Sequence, residues 1–186
     1  MVFVALGLWS GGCSDPTKEA RQLEEAGDWE GALSAYQKVL GKDPGNLTAL
    51  SGAAVALMLL ERYNEALGLQ ERVIAADPHD AQTRVELGFN YLNHQNRPAD
   101  AVKVLREAAQ IEPTAKDFTF LSQAQDASGD LGGAEASLRE AIELDSEYGY
   151  AYRLLYALLT HEGRSAEATQ LAADARAKGV DISEPQ

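Results

Sequence analysis

The sequence predicts an all-α chain assembled from about five helix–turn–helix units, and three observations carry that expectation. A small residue recurs as Ala32, Ala66, Ala101, Ala134 and Ala168, at spacings of 34, 35, 33 and 34 residues, and a fixed period of this size marks an array of stacked repeats. A turn recurs just ahead of each alanine, as Gly27-Asp28-Trp29, Glu61-Arg62-Tyr63, Asn96-Arg97-Pro98, Gly129-Asp130-Leu131 and Gly163-Arg164-Ser165. Behind each alanine the pairs Tyr36 and Val39, Gln70 and Val73, Leu105 and Ala108, Leu138 and Ala141, and Ala172 and Ala175 trace one helical face, four and seven residues on.

Composition narrows the field further. The chain is 45% hydrophobic, rich in alanine and leucine, which suits closely packed helices. Its net charge of −13 repels a phosphate backbone, and no basic patch with interleaved aromatics offsets that, which speaks against nucleic acid as a partner. The repeats read as one continuous array in which each unit buries its apolar face against its neighbours. The units fall at about 13–46, 47–80, 81–114, 115–148 and 149–179, with an apolar segment over 1–12 and a polar tail over 180–186.

Taken in order, residues 1–12 form a short apolar stretch ahead of the sole cysteine, Cys13, and a polar run from Ser14 to Lys18. The stretch is too short to span a bilayer as a helix, and it resembles the end of a secretory signal peptide. With Cys13 directly after Ser10-Gly11-Gly12 it is similar to a bacterial lipoprotein signal, which implies that Cys13 is the lipid-modified first residue of the mature chain. Two features depart from that pattern: no Lys or Arg precedes the apolar run, and Ser10 stands where an aliphatic residue is usual. The plainer reading is an apolar tail whose thiol is a small buried hydrophobe.

Asp15-Pro16 then opens the array, since Asp suits a helix cap and Pro the first turn. The first helix, about Pro16 to Ala26, is charged through Lys18, Glu19, Arg21, Glu24 and Glu25 and reads as a solvated end cap. In the turns, Gly or Asn closes one helix in the left-handed conformation, and Asp28 or Asp130 accepts amide hydrogen bonds from the next. The second helices stop at Asp43-Pro44, Asp77-Pro78 and Glu112-Pro113, because proline lacks the amide hydrogen and disfavours helix in the preceding residue. The fourth unit has Asp145-Ser146 instead. In the last helix Arg176 and Lys178 suit the C-terminal dipole and Gly179 the cap. That end is read as frayed, or as the place where a second copy docks.

Together these residues resemble the tetratricopeptide repeat family, over about Cys13 to Gly179. The family's small first-helix residue maps onto Ala54, Gly88 and Ser122, the bulky residue after it onto Leu57 and Tyr91, and its later alanine, aliphatic or aromatic, and proline positions onto those given above. Ala20 and Tyr156 replace the small residue, Leu23 and Gln125 stand where an aromatic is common, and Gln95 adds one residue to the third turn. The resemblance implies a right-handed α-solenoid whose first helices line a concave groove for a protein or peptide ligand.

The stretch Leu47 to Leu60 is apolar nearly all round, more than one buried face requires. On the resemblance, the groove receives Thr48, Ser51, Val55, Met58 and Leu59 from the second unit and Gln82, Val85, Phe89, Leu92 and Asn93 from the third. Lys116, Thr119, Gln123 and Asp126 come from the fourth, and Tyr150, Arg153, Ala157 and His161 from the fifth. An apolar centre with polar ends suits a helix or an extended peptide, and Met58 lends adaptability. Ser51, Val55, Met58, Leu59, Gln82, Val85, Phe89, Leu92, Asn93 and Gln123 are therefore the expected partner-binding residues. The alternative is that the array itself or a second copy covers them. Family members that clamp a C-terminal carboxylate use Lys, Asn and Arg at places that here hold Thr17, Arg21, Gly52, Gln82 and Glu86, of which only Arg21 can serve.

From Asp126 to Glu147 seven acids accompany one base, Arg139, which reads as a solvated outer face or a docking surface for a basic partner. Catalytic chemistry has little to stand on. His79, His94 and His161 lack a second ligand at metal spacing, and the chain has no phosphate loop or nucleophile elbow. A non-enzymatic protein with no cofactor and no metal is expected. The resemblance implies two functions. One is an exported, lipid-anchored adaptor of the bacterial cell envelope, holding a peptide or helix of an envelope, pilus or secretion-assembly partner. The other is a soluble cytoplasmic chaperone that masks apolar segments of secreted proteins. Only the first touches the membrane, through Cys13.

Overall fold

The computed structural model describes residues 15–182, so Cys13, the segment over 1–12 and the last tail residues lie outside the described chain. Among the described residues there are ten helices and no strands. They form two compact units, one through Ala66 and one from Leu67 onward, and each is built from the expected helical hairpins.

The first unit holds α1 (Lys18–Glu25), α2 (Trp29–Lys42), α3 (Leu47–Leu59) and the first turn of α4 (Tyr63–Ala76). Helix α1 starts two residues later than expected. The backbone amide and hydroxyl of Thr17 both donate to Asp15 Oδ1, at 2.9 and 2.7 Å, and this closed turn occupies what was expected to be the first helical turn. Asp28 caps α2 as expected, accepting from the Gly31 amide at 2.9 Å. The buried ring of Tyr36 lies across the backbone of α3 at Gly52, where an added Cβ would fall 2.2 Å from Tyr36 Cζ. Its hydroxyl donates to Glu24 at 2.9 Å and so ties α2 to α1; burial, and then the Glu24 carboxylate, push the phenol above its ordinary range.

Helix α2 ends at Lys42, and the carboxylate of its C-cap Asp43 accepts from the Gly45 amide at 3.3 Å. Asn46 then caps α3 by accepting from the Ala49 amide at 3.0 Å. The α3–α4 turn departs from its counterparts, because Glu61 has φ +59° where the other turns place Gly or Asn. A β-carbon in this conformation meets the neighbouring carbonyl, at a cost of about 1–2 kcal/mol.

The second unit continues α4 and adds α5 (Ala81–Asn93), α6 (Pro98–Ile111), α7 (Ala115–Ala127), α8 (Leu131–Leu144), α9 (Gly149–His161) and α10 (Ser165–Ala177). Asp77 accepts from the His79 amide at 3.0 Å and Asp145 from the Glu147 amide at 2.9 Å. The carboxylate therefore closes this loop whether proline or Ser146 follows it. Leu87, Tyr91, Leu105 and Leu121 form the core of α5–α7, and Leu138, Leu155, Leu158 and Leu159 that of α8–α9. The residue that Gln95 adds is absorbed in the α5–α6 turn, where Asn96 takes φ +51°.

Polar side chains enter this core in pairs. Gln70, at the position held by Tyr36 and Leu105 in other repeats, accepts from buried Asn90 at 3.2 Å. Gln125, where an aromatic is common, lies 2.6 Å from the Ser137 hydroxyl. At the far end Glu135 of α8 binds Arg164 in the α9–α10 turn at 2.5 Å and Arg139 at 2.7 Å. Arg164 also holds Glu162 and Glu167. Hydrogen bonds from Arg164 and then Arg139 hold the Glu135 carboxyl down at about 2.

Repeat geometry pairs a small residue in the first helix with a large one in the second. Gly88 sits against Leu105, where an added Cβ would come within 2.5 Å, and Ser122 shares a cavity wall with Leu138. The last hairpin reverses the sizes, with Tyr156 in α9 sharing a cavity with Ala172 in α10. Tyr156 is 40% exposed, whereas Ala20, Ala54 and Ser122 at the equivalent positions are buried. Beyond α10 the chain is not wholly the polar tail expected: Val180 is buried against Tyr152 and Ala175, with Ile182 packed beside it. Lys178 donates to the Tyr152 hydroxyl at 3.0 Å, so this end is held down rather than frayed.

Candidate functional site

In the first unit the candidate surface lies on α3. Its apolar circumference is divided: Ala49, Leu50, Ala53, Ala54 and Leu57 are buried, while Val55 and Leu59 stand 36% and 53% exposed. Ser51 and Met58 are half-buried and Thr48 is exposed. The side of α3 away from the core thus offers an aliphatic patch to solvent.

The α5 surface, in the second unit, is centred on Phe89, 46% exposed and edge-to-face with His94 at 5.8 Å. Gln82 and Asn93 are also exposed. Gln82 donates to Glu86 at 2.9 Å, and burial pushes the Glu86 carboxyl upward. Asn93 donates to the Phe89 carbonyl at 3.1 Å, which caps a turn of its own helix. Val85 and Leu92 are half-buried and pack against the core around Leu87 and Tyr91, so they support the patch more than they present it.

Between α7 and α9, with α8 behind them, lies a cavity of about 260 Å³. Gln123, Asp126, Ala157 and His161, all expected on the groove, line it, and Leu138, Leu154 and Leu158 give it apolar walls. Gln123 donates to the Tyr150 hydroxyl at 2.6 Å, which bridges α7 and α9, and Arg153 stacks over the Tyr150 ring at 5.4 Å. Thr119 corrects the expected set. It is buried, and its hydroxyl turns back to the Ala115 carbonyl at 2.8 Å, so it faces no groove. Sequence reading missed Leu154 and Leu158, because periodicity marks them as core and says nothing of the gap left beside them.

Two of the carboxylate-clamp positions, Arg21 and Thr17, are closed here. Arg21 is ion-paired with Asp15, and Thr17 is buried with its hydroxyl on the same carboxylate. Among the described residues no group of three His, Cys, Asp or Glu side chains is placed to hold a metal ion. No described helix is long and apolar enough to cross a membrane.

Models of the tetratricopeptide repeat match residues 23–84 and 118–148. By sequence the chain is 27% identical over 146 residues to a barley (Hordeum vulgare) protein, the probable UDP-N-acetylglucosamine–peptide N-acetylglucosaminyltransferase SPINDLY. The match covers 75% of this chain but only 16% of that relative's length. Among solved structures, a crystal structure of MamA superposes with a TM-score of 0.80 at 22% identity, over 86% of this chain and 94% of the other. YrrB, a TPR protein with an unusual peptide-binding site, superposes at 0.73 with 21% identity, over 84% and 80% of the two chains. At these identities the structural likenesses concern the fold.

Proposed function

Since the chain belongs to the tetratricopeptide repeat family, whose fold is a scaffold for protein interaction, we propose that it is a non-catalytic adaptor that holds a peptide or helix on its first helices. The observation that carries this reading is the exposure of Leu59 and Val55 on α3 and of Phe89 on α5, each raised above a well-packed core. Apolar side chains left in water supply the burial on which peptide affinity rests. YrrB, similar in fold, has a peptide-binding site, which agrees with this use. The glycosyltransferase activity in the barley relative's name belongs to a protein of which this chain matches a small part.

The finer reading is an exported, lipid-anchored adaptor of the bacterial envelope that serves a pilus or secretion-assembly partner. It draws on Ser10-Gly11-Gly12-Cys13 at the end of the apolar segment. The second reading is a soluble cytoplasmic chaperone that masks apolar segments of secreted proteins. Membrane fractionation of wild type and Cys13→Ala separates them: release of the variant supports the anchor, and an unchanged distribution refutes it. The scaffold itself is tested by cross-linked capture with Leu59→Glu and Phe89→Ala. Loss of one discrete partner with helicity intact is the expected result, and equal capture by wild type and variants overturns the reading.

A further inference from the structure

We propose that the cavity between α7 and α9 is a specificity pocket for one basic side chain, lysine or arginine, of the bound peptide; this rests on the peptide-binding reading above. The walls set the first requirement. Leu138, Leu154 and Leu158 offer an apolar lining, and at about 260 Å³ the space lies below the range of about 300–1,000 Å³ usual for small-molecule sites. A single long side chain fits that size.

The mouth sets the second requirement. Asp126 and His161 line it, and among the described residues neither side chain has a hydrogen-bond or ion-pair partner. Among neighbouring charges, Glu135 is held by Arg139 and Arg164, while Arg153 of α9, stacked on Tyr150 with its buried Nη1 unpaired, does not line the cavity. The open charge at the mouth is therefore the Asp126 carboxylate, within a stretch where seven acids accompany one base.

A purely aliphatic side chain would satisfy the walls but leave that carboxylate desolvated without a partner. An acidic one would meet like charge. A cation on an aliphatic stem answers both, because the stem lies along apolar surface while the head stays at the polar rim for a charge-assisted bond. The surrounding negative field then favours encounter with basic segments and disfavours acidic ones.

The test is selection from a random-peptide phage library on wild type, Asp126→Asn and Asp126→Lys, followed by titration of one wild-type-selected peptide and its Lys-to-norleucine counterpart. Asp126 is exposed, and circular dichroism checks that the variants keep their helicity. The expected result is a lysine or arginine at a fixed position in peptides selected by wild type. Asp126→Asn and the norleucine peptide should each weaken binding about fivefold to tenfold, with no further loss when combined. Asp126→Lys should instead select an acidic residue at that position. Wild-type peptides without a basic residue, or equal binding by Asp126→Asn, would overturn the pocket while leaving the scaffold intact. No enrichment on wild type would overturn the peptide-binding reading and the pocket with it.

Discussion

Replacing Gly52 by Ala should destabilise the first unit, although alanine is ordinarily the better helix former by about 1 kcal/mol. The added Cβ would fall 2.2 Å from Tyr36 Cζ, 2.4 Å from Cε2 and 2.5 Å from the hydroxyl, well inside the contact distance of about 3.5–4.0 Å. Tyr36 is among the most deeply buried large side chains, 1% exposed, so its ring cannot swing aside into water. Turning it also breaks the hydrogen bond to Glu24. Overpacking costs about 1–3 kcal/mol and the lost hydrogen bond about 1, so a net loss of about 1–3 kcal/mol remains after the propensity gain. Urea unfolding followed by far-UV circular dichroism reads this directly. Gly68→Ala in α4 is the control: nothing lies within 4 Å of its added Cβ, and it should stabilise by about 0.5–1 kcal/mol. In a Tyr36→Leu background the cost of Gly52→Ala should shrink, because the shorter side chain leaves room. If Gly52→Ala raises the urea midpoint as Gly68→Ala does, the ring is not seated on Gly52 and the account of this core is wrong.

Other expectations follow from single contacts. Glu135 has a folded pKa of about 2 against an ordinary 4.5, so its stabilisation is fully present above about 4.5 and lost as pH falls toward 2. The stability difference between wild type and Glu135→Gln, about 1 kcal/mol near neutral pH for a pair of this exposure, should therefore vanish on acidification; a difference independent of pH would remove the ion pair as its cause. Glu61→Gly should stabilise by up to about 1 kcal/mol by relieving the left-handed backbone, and Gly163→Ala, at φ +76°, should destabilise by about 1 kcal/mol; chemical denaturation of the two should move in opposite directions. Asp130→Ala removes the acceptor for the Gly133 amide and should cost about 1 kcal/mol, with amide exchange accelerated at the start of α8; unchanged exchange there would refute the cap.

The hairpins were legible because their signals are local: a turn residue, a cap and a helical stripe each act within a few positions of themselves. Asp28 and Asp130 cap as their spacing required, and the proline stops agree with the ends of α2, α4 and α6. The fourth unit, read as the exception with Ser146 in place of proline, shows why the stop survives: the Asp145 carboxylate closes the loop and needs no ring behind it. The candidate surfaces were only partly readable. A period of 3.6 places Val85, Leu92 and Thr119 on the same stripes as Phe89 and Gln123, but burial depends on the size of what packs alongside. Val85 and Leu92 settle onto the core, and Thr119 satisfies its own hydroxyl inside it. The cavity walls and the idle carboxylate of Asp126 are products of three helices meeting, which no single stretch of sequence displays.

The reversal of large and small residues in the last hairpin limits how this chain can be rearranged. Joining α9 to a copy of α6 or α8 would set Tyr156 against a leucine in space shaped for Gly88 or Ser122. Joining α10 to a copy of α5 or α7 would leave a void opposite Ala172. Gene-level recombination within α9–α10 should therefore yield poorly folded products, while crossovers that move the hairpin as a whole keep its interior matched. The last repeat travels as one piece, and tandem duplication would have to copy both of its helices to leave a foldable chain.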